Sequence, residues 1–350
     1  MWDAIQLAHR EGARARLRRS ELRAAARHLR LPVRRQSTAA TLRTAIADQS
    51  VSLQQGYSIV EAFSGIGGAF LGAVQAGFAP VGAYDTCGAA NSTYLMNHGV
   101  RPVDHDLAQP FSPTSLADVV WASPPCPPWS LMGPKTGLRD PRGRLMLHLC
   151  RIFEAHGAAV LVCEQSPHMV NVNGGRDWEL IQQTFTSRGH SLQCHRLDSA
   201  HYGVPQSRVR LFLIVTRAGL QLKVPAFVPR PSSTLSQVLK RPAAITRART
   251  IRSSGGGGRS SDPRAFKKVP LVSKECYVLQ LRDMVRLQGF PRNFRFPKDL
   301  SAKAKQRLVG NAVPPPTVAV VLAALRDALV QACHQPVRFE PKGCEACRRH

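Results

Sequence analysis

Short apolar runs alternate with helix-compatible stretches from about residue 57 onward. The runs SIVEAF, PVGAYD, DVVWAS, AAVLVCE, SLQCHRLD and RLFLIVT have the length and β-branched content of buried strands. Segments between them, such as GGAFLGAVQAG and RGRLMLHLCRIFEAHG, have apolar residues at helical spacing. This alternation predicts parallel β-α units, and therefore an α/β fold with a doubly wound, mostly parallel sheet.

The first 50 residues carry a different pattern. Apolar residues recur at helical spacing in SELRAAARHLRL, and Ser37 or Thr38 can cap a second helix in STAATLRTAIAD. This segment holds eleven arginines and four acids, so we expect a basic helical hairpin. It either contacts a nucleic-acid backbone or packs as a solvated helix pair on the next domain. The hairpin resembles a SAP module, a small helical DNA-binding unit.

Charge then indicates the class of partner. The formal net charge is +26 and the pI is about 10.9, values that attract polyanions, above all nucleic acid, with an anionic membrane surface as the competing partner. No run approaches the roughly 18 apolar residues that span a bilayer, so we expect no membrane partner. Nine cysteines, an odd number, and a start without an apolar signal core predict an intracellular, reducing compartment.

The middle of the chain changes composition. Between Arg217 and Lys268 there are twelve basic residues, a single acid, Asp262, and the run RSSGGGGRSSDPR. We expect this segment to build little core of its own and to be either a linker or, as its charge favours, a nucleic-acid contact region. Globular patterning then returns, including a long apolar helix that starts at Pro314 to Pro316. We therefore divide the chain into residues 1–50, 56–216, 217–280, 281–332 and a tail at 333–350.

A glycine-rich turn follows the first predicted strand. In EAFSGIGGAF, Gly65, Gly67 and Gly68 let the backbone approach a nucleotide-like ligand at a helix N-terminus. Phe70 stands where a dinucleotide motif needs another glycine, which disfavours NAD. Asp85 ends the second predicted strand, where a carboxylate can accept hydrogen bonds from ribose hydroxyls. Asp106 lies where we expect a third strand to end. This pattern fits S-adenosylmethionine better than a dinucleotide.

A second set of residues with chemical potential ends later strands. Cys126, in ASPPCPPWSLMG, lies between two pairs of prolines on the carboxyl edge of the predicted sheet. A free cysteine is usually a small buried hydrophobe, but the stiff loop favours a functional thiol. Glu164 reaches the same edge, where a strand-ending acid usually handles protons or hydrogen bonds. Arg208 and Arg210 alternate on one strand face and need Glu164 or a phosphate as partner.

Taken in order, these stretches resemble the motifs of the DNA cytosine-5 methyltransferases. The resemblance runs from about Tyr57 to Ala332 and is carried by FSGIGG, Asp85, Asp106, SPPCPPWS, EQS, QSRVR, RLQGFP and GNAVPP. It implies a class I S-adenosylmethionine-dependent methyltransferase fold, S-adenosylmethionine as cofactor and double-stranded DNA as partner. The basic segment occupies the place of the target recognition region, which reads DNA in the major groove.

The resemblance also implies roles for individual residues. Cys126 matches the nucleophile that adds to C6 of a flipped cytosine, Glu164 the acid that holds the base at N3 and the exocyclic amine, and Arg210 the arginine that orients it. The catalytic positions are Cys126, Glu164, Arg208 and Arg210. The cofactor-binding positions are Phe63, Ser64, Gly65, Gly67, Gly68, Asp85, Thr86, Asp106, Leu107, Pro125, Asn311, Ala312 and Val313. The substrate-binding positions are Pro124, Ser130, Gln206, Arg286 and Gln288.

The sequence departs from the family at three places. Pro127 replaces the usual glutamine after the catalytic Pro-Cys, and Val209 replaces the acid between the arginines. Gln165 and Ser166 replace the Asn-Val of a Glu-Asn-Val triplet whose asparagine braces the cysteine loop. Gln165 therefore raises a question about loop geometry. Since Cys126 and Glu164 are retained, we expect an active enzyme.

Two other functions stay open. One branch of the family methylates transfer RNA, but its Cys-Phe-Thr signature is absent here. A catalytically silent DNA-binding relative would more often have lost Cys126 or Glu164. We expect a monomeric enzyme in the nucleus or, in a prokaryote, the nucleoid. Cys344 and Cys347 have metal-ligand spacing but lack a second pair, so we assign no metal.

Overall fold

The computed structural model describes residues 56–110, 112–253 and 268–334. The predicted N-terminal helical hairpin, residues 1–50, lies outside the described residues. So do Cys344 and Cys347 of the tail. The interpretation of these two regions stays a prediction from the sequence.

Six strands form the central sheet, in the order β2-β1-β3-β4-β6-β5. They are β1 (Ser58–Ala62), β2 (Ala79–Tyr84), β3 (Val119–Ala122), β4 (Val160–Gln165), β5 (Ser191–Asp198) and β6 (Val209–Thr216). The first four pair in parallel, and β6 is antiparallel to both β4 and β5. Every residue of β3 and β4 is buried, as expected for parallel strands covered on both faces. The predicted doubly wound, mostly parallel α/β sheet is confirmed.

Helices cover both faces of the sheet. They are α1 (Gly68–Gln75), α2 (Gly88–His98), α3 (Pro141–Ala155), α4 (Arg176–Thr186), α5 (Leu235–Leu239), α6 (Leu281–Leu287), α7 (Ala302–Asn311) and α8 (Pro315–His334). Alanines of α1 and valines and leucines of α8 share one core with β1, β3, β4 and β6. Residues of α3 and α4 form the core on the other face. The carboxyl edge of the sheet is left free for a site.

The described part of the basic segment contributes buried residues to a core that it shares with neighbouring helices. Leu235, Leu239, Ala248 and Ile251 are at most 6% exposed. They pack with α6 and with a small hairpin of β7 (Lys268–Pro270) and β8 (Cys276–Val278), and this cluster reaches α1 and α2. The sequence pattern hides this core because its apolar residues are isolated among exposed arginines. Burial of these residues therefore favours a folded segment over a linker.

Two further expectations need correction. The expected third strand before Asp106 is reduced to an isolated parallel bridge between Tyr84 and Val103. The stretch Ala302–Ala332, which includes the predicted apolar helix, does reach the length and apolarity of a membrane span. However, 83% of its apolar window is buried inside the protein, which is the position of a core helix.

One acid is buried in the centre of this fold. Glu61 of β1 is 0% exposed, and its Oε1 accepts a hydrogen bond of 2.8 Å from the Tyr94 hydroxyl of α2. Burial raises the pKa of Glu61 to about 8, with the nearby Asp85 adding to the shift and Tyr94 and the Phe70 backbone opposing it. The carboxyl is therefore protonated in the folded protein at neutral pH but ionised in the unfolded chain.

This difference makes stability depend on pH. A raised folded-state pKa contributes stability below the unfolded-state value of 4.5, and the contribution is lost as the pH rises towards about 8. Glu61→Gln keeps an acceptor for Tyr94 and cannot ionise. We expect it to raise the Tm at pH 8 by several degrees and to change it little at pH 5. Thermal unfolding from pH 5 to pH 9 measures this, with the exposed Glu179→Gln as control. A gain that does not vary with pH would contradict the assignment.

Candidate active site

The turn between β1 and α1 has an unusual backbone. Phe63, Gly65 and Gly67 all have positive φ, at 58°, 55° and 80°. Such a φ is rare for an aromatic residue, and strained backbone of this kind clusters at functional sites. A Cβ on Gly67 would lie 2.2 Å from His98 Nε2, so only glycine fits there. The turn is thereby forced into one shape by the packing beneath it.

Open space lies above this turn. A Cβ on Gly65 would meet no atom within 4 Å, whereas one on Gly68 would lie 2.2 Å from the Val313 carbonyl oxygen. The structure thus packs Gly68 against Val313, while Gly65 and Gly67 lie in the same turn. Ser64 Oγ is buried and, within the described residues, makes no hydrogen bond. A buried hydroxyl next to open space fits a ligand with its own polar groups.

Asp85 connects the second strand to the same turn. Its Oδ2 accepts a hydrogen bond of 2.8 Å from Gly65 N, and its Oδ1 accepts one of 2.8 Å from Cys87 N. Burial raises the pKa of Asp85, and these two backbone bonds oppose the shift. Each carboxylate oxygen can accept a further hydrogen bond. Asp85 can therefore hold the turn and still accept a hydrogen bond from a ribose hydroxyl.

The other predicted cofactor positions differ in how exposed their side chains are. Asp106 is exposed, and its Oδ1 accepts a hydrogen bond from Ala108 N, while Leu107 is 2% exposed. Arg151 of α3 holds this loop by donating to the carbonyls of Leu107 and Gln109 at 2.9 Å each. Thr86 and Asn311 are exposed, Ala312 and Val313 are buried, and Pro125 is half-buried.

Cys126 sits on a closed loop directly after β3. The backbone nitrogens of Trp129 and Ser130 both donate to the Cys126 carbonyl at 3.0 Å, which curls the loop around the cysteine. Trp129 is 0% exposed and anchors the loop in the core. The prolines and this buried anchor together fix the backbone that carries the thiol.

Gln165 resolves the question about loop geometry. Its Nε2 donates to the Pro124 carbonyl at 3.2 Å, and its Oε1 accepts from Ser166 N at 2.8 Å. The side chain is 0% exposed and lies across the base of the loop. A glutamine in place of the family's asparagine therefore supplies a brace of its own, from β4 to the residue two before Cys126.

An ion pair lies beside the cysteine loop. Arg210 Nε lies 3.0 Å from Glu164 Oε1, and both side chains are largely buried, at 16% and 9% exposure. Burial raises the pKa of Cys126; the charge of Arg210 lowers it, Glu164 raises it and Arg208 lowers it. The carboxyl and the two guanidiniums are therefore close enough to influence ionisation of the thiol.

Arg208 and Arg210 contact different partners. The Arg208 guanidinium is buried and donates to the carbonyls of Ile251 at 3.1 Å, Gly310 at 3.3 Å and Ala312 at 3.0 Å. It ties the basic segment and the loop after α7 to the start of β6. The structure therefore makes Arg208 a positioning residue, whereas Arg210 points its charge at Glu164.

The two predicted substrate glutamines also lie in the interior. Gln206 Nε2 donates to Gln288 Oε1 at 2.8 Å, and Gln288 Nε2 donates to the Val309 carbonyl at 2.7 Å. Both are 0% exposed, and Gln206 Oε1 accepts from Ile251 N at 2.6 Å. Their amides close hydrogen bonds between chain segments, which differs from a contact with substrate. Ser130 and Arg286 are half-buried, and Pro124 is buried.

Asp198 was not among the predicted site residues. It ends β5, and its carboxylate accepts hydrogen bonds from Arg208 N at 2.8 Å and Ser207 Oγ at 3.1 Å. This places the carboxylate directly beneath the arginine strand. Like Asp85 and Glu164, Asp198 is an acid at the end of a predicted strand. The same sequence signal could therefore have identified it.

One group of potential metal ligands occurs in the described part of the chain, formed by Cys150, Glu154 and His190. His190 Nδ1 accepts from Ala218 N, while Nε2 faces Glu154 Oε1 at 3.2 Å. Burial raises the pKa of Cys150 to about 11, and Arg188 pairs with Glu154 at 2.6 Å. Both imidazole nitrogens are engaged and the thiol is protonated, so this group is a poor metal site.

Comparison with known proteins identifies relatives along most of the chain. A family model described as C-5 cytosine-specific DNA methylase matches residues 57–254 and 244–327. The Type II methyltransferase M.MthTI of Methanothermobacter thermautotrophicus is 27% identical over 309 residues, covering 73% of this chain and 93% of the relative. The Type II methyltransferase M.NgoBI of Neisseria gonorrhoeae is 26% identical over 295 residues, covering 75% and 90%.

Solved structures have the same fold. The Entamoeba histolytica methyltransferase EhMeth gives a TM-score of 0.60 at 16% identity, covering 78% of this chain and 99% of that chain. A putative DNA modification methyltransferase encoded within an Escherichia coli prophage gives 0.61 at 18% identity, covering 79% and 100%. At these identities the structural likeness supports the fold alone.

The brace from Gln165 predicts a kinetic effect. Gln165→Leu keeps the volume and removes the donor to Pro124, so the loop should lose its fixed position and the turnover number should fall about 10- to 100-fold. Cofactor affinity should change less than turnover, because the glycine turn is untouched. Gln193→Leu is the control, since Gln193 Nε2 makes an equivalent bond of 3.1 Å to the Leu222 carbonyl away from the site. Equal turnover in both variants would show that the brace has no role.

Proposed function

The chain belongs to the C-5 cytosine-specific DNA methylases, and from this membership we propose that it methylates C5 of cytosine in double-stranded DNA. S-adenosylmethionine is the proposed methyl donor, used through an adduct between Cys126 and cytosine C6. The observation that carries the proposal is the Glu164–Arg210 pair, 3.0 Å apart, whose charges act on the thiol of a fixed loop.

The proposed cofactor site is the region around the glycine turn. Ser64 offers a buried hydroxyl without a partner in the described chain, Asp85 offers acceptor capacity, and Gly65 faces open space. These groups fit the amino acid and ribose portions of S-adenosylmethionine, with Asp106 near the loop that would meet the adenine. When bound, S-adenosylmethionine supplies an electrophilic methyl group on a sulfonium. The chain's own task is to hold the cofactor there and to activate the base.

Activation of cytosine begins with Cys126. The Cys126 thiolate forms a bond to C6, and the C5–C6 π electrons shift so that C5 becomes enamine-like and nucleophilic. Once C5 carries the methyl group, a base such as water takes the C5 proton, the C5–C6 double bond re-forms, and the C6–S bond breaks to release the Cys126 thiolate. Because C6 is inaccessible in stacked DNA, the base must leave the duplex at a cost of a few kcal/mol.

Glu164 and Arg210 manage the charge of this step. Attack on C6 makes N3 more basic, so a carboxyl held at N3 and the exocyclic amine stabilises the adduct by carrying the balancing proton. Arg210 keeps the carboxyl oriented through their ion pair. The guanidiniums of Arg210 and Arg208 favour the thiolate form of Cys126, whereas burial and the charge of Glu164 oppose it.

Further parts of the proposal follow from charge and family. The enzyme would work as a monomer in the compartment that holds the DNA, the nucleoid or nucleus. The folded basic segment would form the target recognition region, with residues 217–280 as its extent. Arg286 and Ser130 would contact the substrate, and Gln206 and Gln288 would support it from within.

A methyl-transfer assay tests the proposal. With tritiated S-adenosylmethionine, we expect label on duplex DNA and no label on transfer RNA. A duplex containing 5-fluorocytosine should form a stable covalent complex, because fluorine at C5 cannot leave as the proton does. Cys126→Ala should abolish both signals, whereas Cys194→Ala, an exposed cysteine on β5, should leave them unchanged.

Two results would contradict the proposal. Label on transfer RNA alone would exclude the DNA substrate, and full activity of Cys126→Ala would exclude the covalent mechanism. Bisulfite sequencing of DNA from a methylation-free host that expresses the chain would give the bases that flank the target.

A further inference from the structure

An exposed apolar patch lies where the outer side of α2 meets the edge of the sheet. Its five large side chains are each at least 38% exposed: Val81, Leu95, Met96, Val100 and Val103. Exposed apolar residues that are scattered singly are normal on a soluble protein, whereas a contiguous group marks a contact surface. None of the five is assigned to catalysis, to the cofactor or to the substrate.

Val81 and the end of α2 lie on the same face of the sheet. Side chains alternate along a strand, so Val81 points to the same face as Ala83. Ala83 shares a core cluster with Tyr94 of α2. Because α2 begins just after the carboxyl end of β2 and covers this face, its last turn, with Leu95 and Met96, lies towards the amino edge.

The chain after α2 connects the helix to the edge of the sheet. Gly99 N donates to the Leu95 carbonyl at 2.9 Å, which joins Val100 to the last turn of α2. Three residues later Val103 forms a parallel bridge with Tyr84 of β2, the edge strand. The patch therefore runs without a break from the end of α2 to β2.

The N-terminal segment, residues 1–55, joins the described chain beside this patch. Ala79 N, at the start of β2, donates to the Tyr57 carbonyl at 3.0 Å, and the Tyr57 ring contacts Phe78. Val81 is two residues beyond Ala79. At strand spacings of about 4.8 Å across and about 3.3 Å along, the patch begins within about 10 Å of the junction. Such a close attachment gives the segment a high effective concentration at the patch.

Charge suits this surface to a basic partner. Residues 57–118 hold five acids and a single basic residue, although the net charge of the chain is +26. Asp104 is exposed next to Val103 of the patch, and the exposed Asp118 accepts hydrogen bonds from Ser58 at the junction. A nucleic acid is repelled by such a surface. The first 50 residues, with eleven arginines and four acids, are attracted by it.

The N-terminal segment also has apolar residues that match the patch. Ala39, Leu42 and Ile46 recur at helical spacing in STAATLRTAIAD, which is predicted as a second helix. This stretch ends at Asp48, eight residues before Gly56. A helix of about 12 residues is marginal by itself in water, so it needs a surface on which to bury its apolar side.

We propose that residues 1–55 dock on the apolar patch of their own chain. The apolar side of the second predicted helix covers the end of α2 and the edge of β2, and arginines of the segment face Asp104 and Asp118. The patch lies towards the amino edge of the sheet, whereas the proposed active site lies at the carboxyl edge. This docking requires neither DNA nor cofactor, so it stands independently of the proposed function.

Limited trypsin digestion of the full chain, without DNA or cofactor, tests the docking. The eleven arginines between Arg10 and Arg43 are the cleavage sites. Leu95→Gln/Met96→Gln removes apolar surface from the patch at two exposed positions, and glutamine is a good helix former. We expect cleavage at these arginines to be about 10-fold faster than in wild type, because proteolysis follows the population of undocked segment.

A second double variant is the matched control. Leu180→Gln/Val272→Gln removes apolar surface outside the patch, since Leu180 on α4 and Val272 after β7 are 51% and 65% exposed. The control should be cleaved at the wild-type rate. Hydrogen exchange of the β3 and β4 amides should be the same in all three proteins, which shows that the sheet is intact in each.

The outcomes identify what covers the patch. Slow cleavage of wild type at every protein concentration, with fast cleavage of the patch variant, supports docking within one chain. Equal cleavage of the two proteins overturns it. Protection that increases with protein concentration also overturns it, in favour of a second copy of the chain. Protection that requires added duplex DNA overturns it in favour of a nucleic-acid contact. Absence of methyl transfer overturns the proposed function and leaves the docking result unaffected.

Discussion

The buried guanidinium of Arg208 is the interaction on which the arrangement of this protein depends. A charge that is 3% exposed costs several kcal/mol unless it is fully hydrogen-bonded. Here the acceptors are carbonyls from two distant segments, at Ile251 and at Gly310 and Ala312. The basic segment, the loop after α7 and the start of β6 must therefore come together before the two terminal nitrogens of the guanidinium have their acceptors. That same assembly places Arg210, two residues on, against Glu164.

Around Arg208, the side-chain amides of buried glutamines connect neighbouring segments of the chain. Gln206 and Gln288 bond to each other and to the same segments that Arg208 joins, and Gln165 bonds to the base of the cysteine loop. Each amide has a donor and an acceptor, so one side chain can satisfy two backbone groups that face each other in the interior. The long reach of glutamine suits these gaps between elements. Loop geometry at Cys126 is thus set by β4 as much as by the prolines.

The strands and the glycine turn could be predicted because their signals are local. Apolar runs of four to eight residues and acids at their ends identify the carboxyl edge of a parallel sheet, and β5 runs from Ser191 to Asp198 as predicted. Burial of Arg208 and of the two glutamines could not be predicted. Their partners lie up to 104 residues away, and a polar residue in a motif has the same pattern whether it faces a ligand or a carbonyl. The core around Leu235 was hidden because its apolar residues are isolated in a basic stretch of the sequence.

The position of α8 has a consequence for synthesis of the protein. Arg326 of α8 donates to the Ala76 carbonyl at the end of α1, across 250 residues of sequence, and α8 covers one face of the sheet. On the ribosome the first strands therefore emerge long before the helix that shields them. Contacts of such long range slow folding, and the uncovered apolar face is exposed to aggregation in the interval. The first strands therefore cannot reach their native packing until α8, at the far end of the described chain, has been made.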